Sequence, residues 1–189
     1  MNYLNNFIKN IFLKIGFVVT RKDNHKEYLN LRNSIRFVNF LNQIRLADWN
    51  VNECLKLFEK SNSQNFQDIF VLAALKFKTK GFFIEAGACD GIFASNSLIL
   101  EKDYNWNGIA VEPSKHFQEL LGTNRNCLIY NGALDSVDGK AEFVESPHSE
   151  LSSLKKYLSH NDQWGNFRAS GKTRNINVSK LNTLCANLS

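Results

Sequence analysis

Apolar residues recur at helical spacing through the first third of the chain and then gather into short continuous runs. Leu4, Phe7, Ile8, Ile11, Ile15 and Val18 fall on one helical face. After a polar break at 21–26, Leu31, Ile35, Val38, Leu41 and Ile44 continue that period, and 51–58 add a short apolar stretch. Residues 1–60 are therefore expected to form a helical N-terminal region. A polar connector, 61–64, leads to a helix expected over 67–78, with Ile69, Leu72, Ala73, Leu75 and Phe77 apolar. Its basic end (Lys76, Lys78, Lys80) suits a helix C-terminus, where backbone carbonyls concentrate negative charge, and Gly81 is expected to stop it.

From Gly81 the pattern changes to alternating strands and helices. Phe82-Phe83-Ile84 is a short apolar run, as in a strand buried on both faces. A turn containing glycine follows, then a helix expected over 95–102. Ile109-Ala110-Val111 reads as a second strand, Ser114 as the cap of a helix through Leu121, and Leu128-Ile129-Tyr130 as a third strand. Such a β-α-β-α-β series implies parallel strands joined by crossovers. Asp138-Gly139 then reads as a turn into the alternating segment 140–144, an antiparallel hairpin extension. The fold class is α/β and Rossmann-like, carried by residues 61–189.

Composition narrows the class only slightly. The chain has 189 residues, 43% hydrophobic and 22% charged, as an ordinary globular domain does. The net charge is +5, and the basic excess lies in residues 1–80, with 13 Lys/Arg against 6 Asp/Glu. This arm is read as a solvated basic face, with anionic lipid, nucleic acid or a charged glycan as the alternative partners. No RNP, zinc-finger or basic-zipper pattern appears, so nucleic acid is not an expected partner. Lys9, Asn10 and Lys14 break the apolar stretch 5–19 well short of the roughly 18–20 residues of a membrane span. It is expected to be an amphipathic helix packed on the protein, with shallow membrane contact as the alternative. Cys54, Cys89, Cys127 and Cys185 form no CxxC, and no histidine stands at zinc-ligand spacing from them. Free thiols in a reducing cytoplasm are the simplest expectation, with a buried thiol at Cys127.

The chemistry concentrates at the carboxyl end of the first strand, where open α/β sheets bind ligands. There the chain reads Glu85-Ala86-Gly87-Ala88-Cys89-Asp90-Gly91. Gly87 allows close approach of a ligand to the backbone, and Gly91 allows tight entry into the next helix. A dinucleotide site uses G-x-G-x-x-G and sets a pyrophosphate on the helix N-terminus. Here the spacing is G-x-x-x-G with Glu85 and Asp90 beside it. Those acids repel a pyrophosphate but pair with an ammonium, which favours S-adenosylmethionine over a nicotinamide dinucleotide. Glu112 ends the second strand about twenty residues beyond the turn, the position from which an acid takes ribose hydroxyls.

These segments resemble the FkbM-type methyltransferases. The resemblance rests on Gly81 to Glu101 and on Gly108-Ile109-Ala110-Val111-Glu112-Pro113. It extends to the lead-in Ser63-Gln64-Asn65-Phe66-Gln67-Asp68, similar to that family's S-Q-x-x-Q-D, and to Asn124-Arg125, Asn131-Gly132-Ala133-Leu134, Ser152-Ser153-Leu154, Trp164 and Arg168. It covers about residues 61–185. It implies a class I methyltransferase fold, S-adenosylmethionine as methyl donor, and transfer to an oxygen of a sugar, glycan or natural product. Carried onto this chain, Glu85, Gly87, Asp90 and Gly91 would shape the methionine and ribose side, Glu112 would hold the ribose, and Ala133 would line the adenine. Asn96 would face the cofactor or form a helix N-terminal hydrogen bond. Family members continue past a segment like Val178-Ser179-Lys180-Leu181 into a further strand with an I-D-x-E-G-x-E type motif. Its absence before Ser189 is read as C-terminal truncation, leaving an exposed sheet edge open to self-association or to a completing chain.

No catalytic residue is assigned. His148, His160 and Asp162 lie in the polar stretch after the third strand without a distinguishing spacing, and Trp164 with Arg168 suits either sugar stacking or ordinary packing. The competing readings are a non-catalytic remnant and a basic module that binds a membrane or a partner.

Overall fold

The computed structural model describes residues 35, 38–40, 49–158, 165, 168 and 170–186. The expected helix over 5–19, together with His160, Asp162 and Trp164, lies outside them. Met1–Asp48 and Trp49–Ser189 form two compact units. Of the first, Ile35 and Val38, Asn39 and Phe40 are helical.

The second unit is α/β. It opens with helix α1 (Val51–Leu57), capped by the Asn50 side chain on the Glu53 amide, and α2 (Gln67–Ala74). Cys54, Ile69 and Leu72 are fully buried. Strand β1 (Phe82–Ala86), helix α3 (Leu98–Tyr104), β2 (Asn107–Val111), α4 (Lys115–Asn124) and β3 (Leu128–Tyr130) then build a parallel sheet in the order β1-β2-β3. Phe82 pairs with Asn107 and Ala86 with Val111; Ile109 pairs with Leu128. Alternation across β2 divides the core. Ala110 packs with Ala88 and Leu121 of α4, whereas Ile109 and Val111 pack with Leu184 of the last helix, α5 (Leu181–Ala186). Helices thus flank both faces of a parallel sheet, an arrangement compatible with a Rossmann-like fold.

A second sheet follows, from β4 (Ala133–Leu134), β5 (Gly139–Glu145), β6 (Ser153–Leu154) and β7 (Lys172–Ser179) in the order β4-β7-β5-β6. Its core is Phe143, Leu154, Ile176 and Val178. The expected segment after Asp138-Gly139 is β5, and it is antiparallel as expected. It does not turn back on β4, however: β7 lies between them, parallel to β4 and antiparallel to β5. Asp138 accepts from the Lys180 amide and the Thr183 hydroxyl, tying this turn to the start of α5; the amide bond foremost holds its carboxyl below the usual range.

Three local expectations need correction. Helix α2 ends at Ala74, because Lys76 and Phe77 take positive φ and the Phe77 amide reaches back to the Leu72 carbonyl. Gly81 serves packing instead, since a Cβ there would overlap the Trp106 ring. Helix α3 starts at Leu98, because the hydroxyls and amide of Ser95, Asn96 and Ser97 are turned onto Glu85.

No helix among the described residues is long and apolar enough to cross a membrane.

Candidate functional site

At the carboxyl end of the parallel sheet an open cleft of about 330 Å³ runs between the β1–α3 turn and the segment that follows β5. That volume lies at the small end of the range for small-molecule sites, about 300–1,000 Å³. Gly87, Cys89, Glu112 and Pro113 form one part of its lining. Ala133, Leu134 and Phe143 contribute apolar surface, and Ser149, Glu150, Ser152, Ser153 and Tyr157 a hydroxyl-rich rim.

The turn after β1 is docked on β2: the amides of Gly87 and Ala88 both donate to the Val111 carbonyl. Gly87 has φ +74°, and a Cβ built there meets nothing within 4 Å. Its hydrogen atoms therefore face open space at a place where most side chains are disfavoured. Glu112 is 4% exposed, and its two oxygens accept from the Cys89 amide (2.9 Å) and the Ser114 amide (2.7 Å). Burial pushes its carboxyl above the usual range, against the pull of those two amides. Each oxygen retains a lone pair for a donor in the cleft.

Of the residues expected at a cofactor site, the cleft gathers Gly87, Glu112 and Ala133. The other four are engaged in building the turn. Glu85 is buried and accepts from Ser95 Oγ, the Asn96 amide, Ser97 Oγ and Arg125. Asp90 accepts from the amides of Ile92 and Phe93. Gly91 has φ +83°, and a Cβ there would lie 2.6 Å from Cγ of Arg125. The Asn96 side-chain oxygen is bonded to the Ser63 hydroxyl at 2.8 Å, which joins the lead-in segment to the turn. Among the candidate acceptor residues, His148 is exposed and lies outside the cleft lining, and Arg168 is half-buried on a helix.

Sequence reasoning missed most of the rim, of which only Ser152 and Ser153 entered, as positions of the resemblance. Tyr157 and Lys156 both bond Asp135, which follows β4, and Lys156 foremost holds that carboxyl down at about 2. Ser114, expected to cap α4, stands at its N-cap position but makes no side-chain cap bond; its hydroxyl donates instead to Glu145, which in turn accepts from Arg174 of β7. An acid at the end of β5 and a base in β7 carry no local signal that they meet.

All four cysteines are free, and Cys127 is half-buried. Burial, with Glu112 and other acids nearby, pushes the Cys89 thiol from 9.0 up to about 12, and burial foremost raises Cys127 to about 11. Below pH 9 Cys89 therefore holds about a thousandth of the thiolate of an ordinary cysteine. Alkylation by iodoacetamide at pH 8, followed by mass spectrometry, is expected to modify exposed Cys185 first and Cys89 far more slowly. Equal rates at the two sites would refute this account of the cleft's electrostatics.

In comparisons with known proteins, the chain matches no family model, no curated protein and no solved structure.

Proposed function

We propose that this cleft binds S-adenosylmethionine and that the protein is a methyltransferase of the FkbM type it resembles, acting on an oxygen of a small-molecule or glycan acceptor. The observation that carries the reading is Glu112: a buried carboxylate at the tip of β2, in the wall of a cleft that Gly87 leaves open. A carboxylate there accepts both ribose hydroxyl hydrogens. Val111, Ala133, Leu134 and Phe143 offer the apolar surface an adenine requires, and the absence of a Cβ at Gly87 gives the ligand its closest approach to the backbone. The residues thus fit a nucleoside that lacks phosphates. When bound, S-adenosylmethionine supplies an electrophilic methyl group on sulfur. The protein's part is alignment of the acceptor, which dominates such a displacement. Glu150 stands exposed on the rim of the cleft.

A second reading, nucleoside binding without transfer, has one observation in its favour. Glu85 and Asp90, the acids that would meet the methionine end, are hydrogen-bonded within the turn.

The test is calorimetric titration with S-adenosylhomocysteine of the wild-type chain and of Gly87→Ala. Saturable binding is expected for the wild type. The variant should lose only about 1 kcal/mol of stability from its positive φ, because its new methyl group meets no protein atom, yet bind at least tenfold more weakly. A well-folded wild type without binding overturns the proposal. Binding without turnover across hydroxylated acceptors favours the second reading.

A further inference from the structure

We infer that Arg125 is the positioning residue of the cleft: from the end of α4 it fixes the turn 89–97 in the shape that presents Gly87 and Cys89 to a ligand. The inference rests on the nucleoside-binding reading above. The bonds within the turn, such as those from the Ile92 and Phe93 amides to Asp90, do not by themselves account for its backbone. Cys89 and Ala94 have φ near +50°, conformations that non-glycine residues keep only where surrounding structure over-determines them. Arg125 supplies that determination. Its side chain is fully buried, with Nε on Glu101 (2.7 Å) and one terminal nitrogen shared among Glu85, the Gly91 carbonyl and Ser95 Oγ. The other terminal nitrogen donates to Ser97 Oγ at 2.8 Å.

One planar cation thereby ties the strand, the turn and the start of α3 together. Adjacent Asn124 adds a bond to the Asp90 carbonyl. Gly91 belongs to the same device, because any larger residue would displace the arginine stem. The effect reaches the cleft through Cys89, whose amide holds Glu112. If the turn relaxes, the carboxylate loses one of the two donors that aim it. A lysine has the charge but no fork, and cannot serve partners on Glu101, Glu85 and Ser97 together.

The test uses the whole chain, with Arg125→Lys and, should that variant not fold, Glu101→Gln, which keeps the guanidinium and weakens its anchor. Hydrogen exchange by mass spectrometry and titration with S-adenosylhomocysteine are measured side by side. The expected result is exchange at least about tenfold faster over 89–97, unchanged protection over β2, and affinity lower by about tenfold or more. Wild-type affinity in a variant whose turn exchanges faster would overturn the inference, as would unchanged exchange of the turn. A wild type that does not bind fails the proposed function and the link to the ligand, while turn exchange still reports whether Arg125 holds the turn.

Discussion

An Arg125→Met chain is expected to lose about 3–5 kcal/mol of stability, the cost of breaking a buried ionic cluster by removing one partner. Its urea midpoint should fall, with the slope little changed. Glu85 and Glu101 would remain buried, left with the Ser95 and Ser97 hydroxyls and the Asn96 amide at Glu85, and with the Asn126 amide, the Cys127 thiol and Lys102 at 3.8 Å at Glu101. In the native protein, burial works to raise Glu101, but the Asn126 amide and the Arg125 guanidinium outweigh it and hold the carboxyl below its ordinary value. A depressed folded-state value means that this stabilisation is present above the unfolded value and lost as pH falls through the folded one. Without Arg125 the balance at Glu101 tips back toward burial, and that acid takes up a proton more readily. The deficit of the variant should therefore be largest at neutral pH and shrink on acidification. Combining Arg125→Met with Glu85→Gln and Glu101→Gln should recover much of the loss, since an apolar or neutral replacement of a whole buried cluster costs far less than breaking it. A single-variant loss below about 1 kcal/mol, within the range of exposed ion pairs, would refute this account.

Glu112→Gln is expected to weaken S-adenosylhomocysteine about 10–100-fold, the range for loss of a hydrogen bond to a charged group. Both oxygens of Glu112 already accept backbone amides. A glutamine can satisfy only one of them, so its amide nitrogen must face the other donor or turn into the cleft. The pH dependence distinguishes ribose recognition from general damage. Burial raises the Glu112 carboxyl, so its contribution to folding is present below the unfolded value and lost as pH rises through the folded one. Ribose hydroxyls donate, and they favour the ionised form. Affinity in the wild type should thus be full above the folded value and decline as pH falls through it, opposite in sign to the stability term. In the glutamine variant both dependences should vanish. Titrations across mildly acidic pH check this, and a variant that binds as tightly as wild type at every pH would remove the ribose role from Glu112.

The parallel sheet was legible because its strands are short apolar runs between turn residues: 82–84, 109–111 and 128–130 all lie within observed strands. The second sheet was legible only at β5. Strand β7, Lys172–Ser179, buries just Ile176, Val178 and Ser179 and is otherwise polar or half-exposed, so it carries too weak an alternation to stand out. At the site, spacing was enough to bring Gly87 and Glu112 to one cleft, and the family resemblance added Ala133. It did not separate residues that line the cleft from residues that shape it. Glu85 and Asp90 are acids beside a glycine turn in either case, and the direction of each side chain depends on partners distant in sequence. Arg125 lies 40 residues from Glu85 in the chain, and an arginine that ends a helix reads as a surface residue until its carboxylates are located.

The insertion of β7 between β4 and β5 sets an order on assembly. The pairs within the parallel sheet join neighbouring stretches of chain, and they become available once Tyr130 has emerged from the ribosome. Ala133 and Leu134, by contrast, pair with Val178 and Ser179, and Arg174 reaches Glu145 and the Pro113 carbonyl from the same late strand. Contacts that span so much of the chain form slowly, because a long loop must close before they contribute. One wall of the cleft is therefore fixed last, and a nascent chain that has folded only its first sheet still lacks that wall.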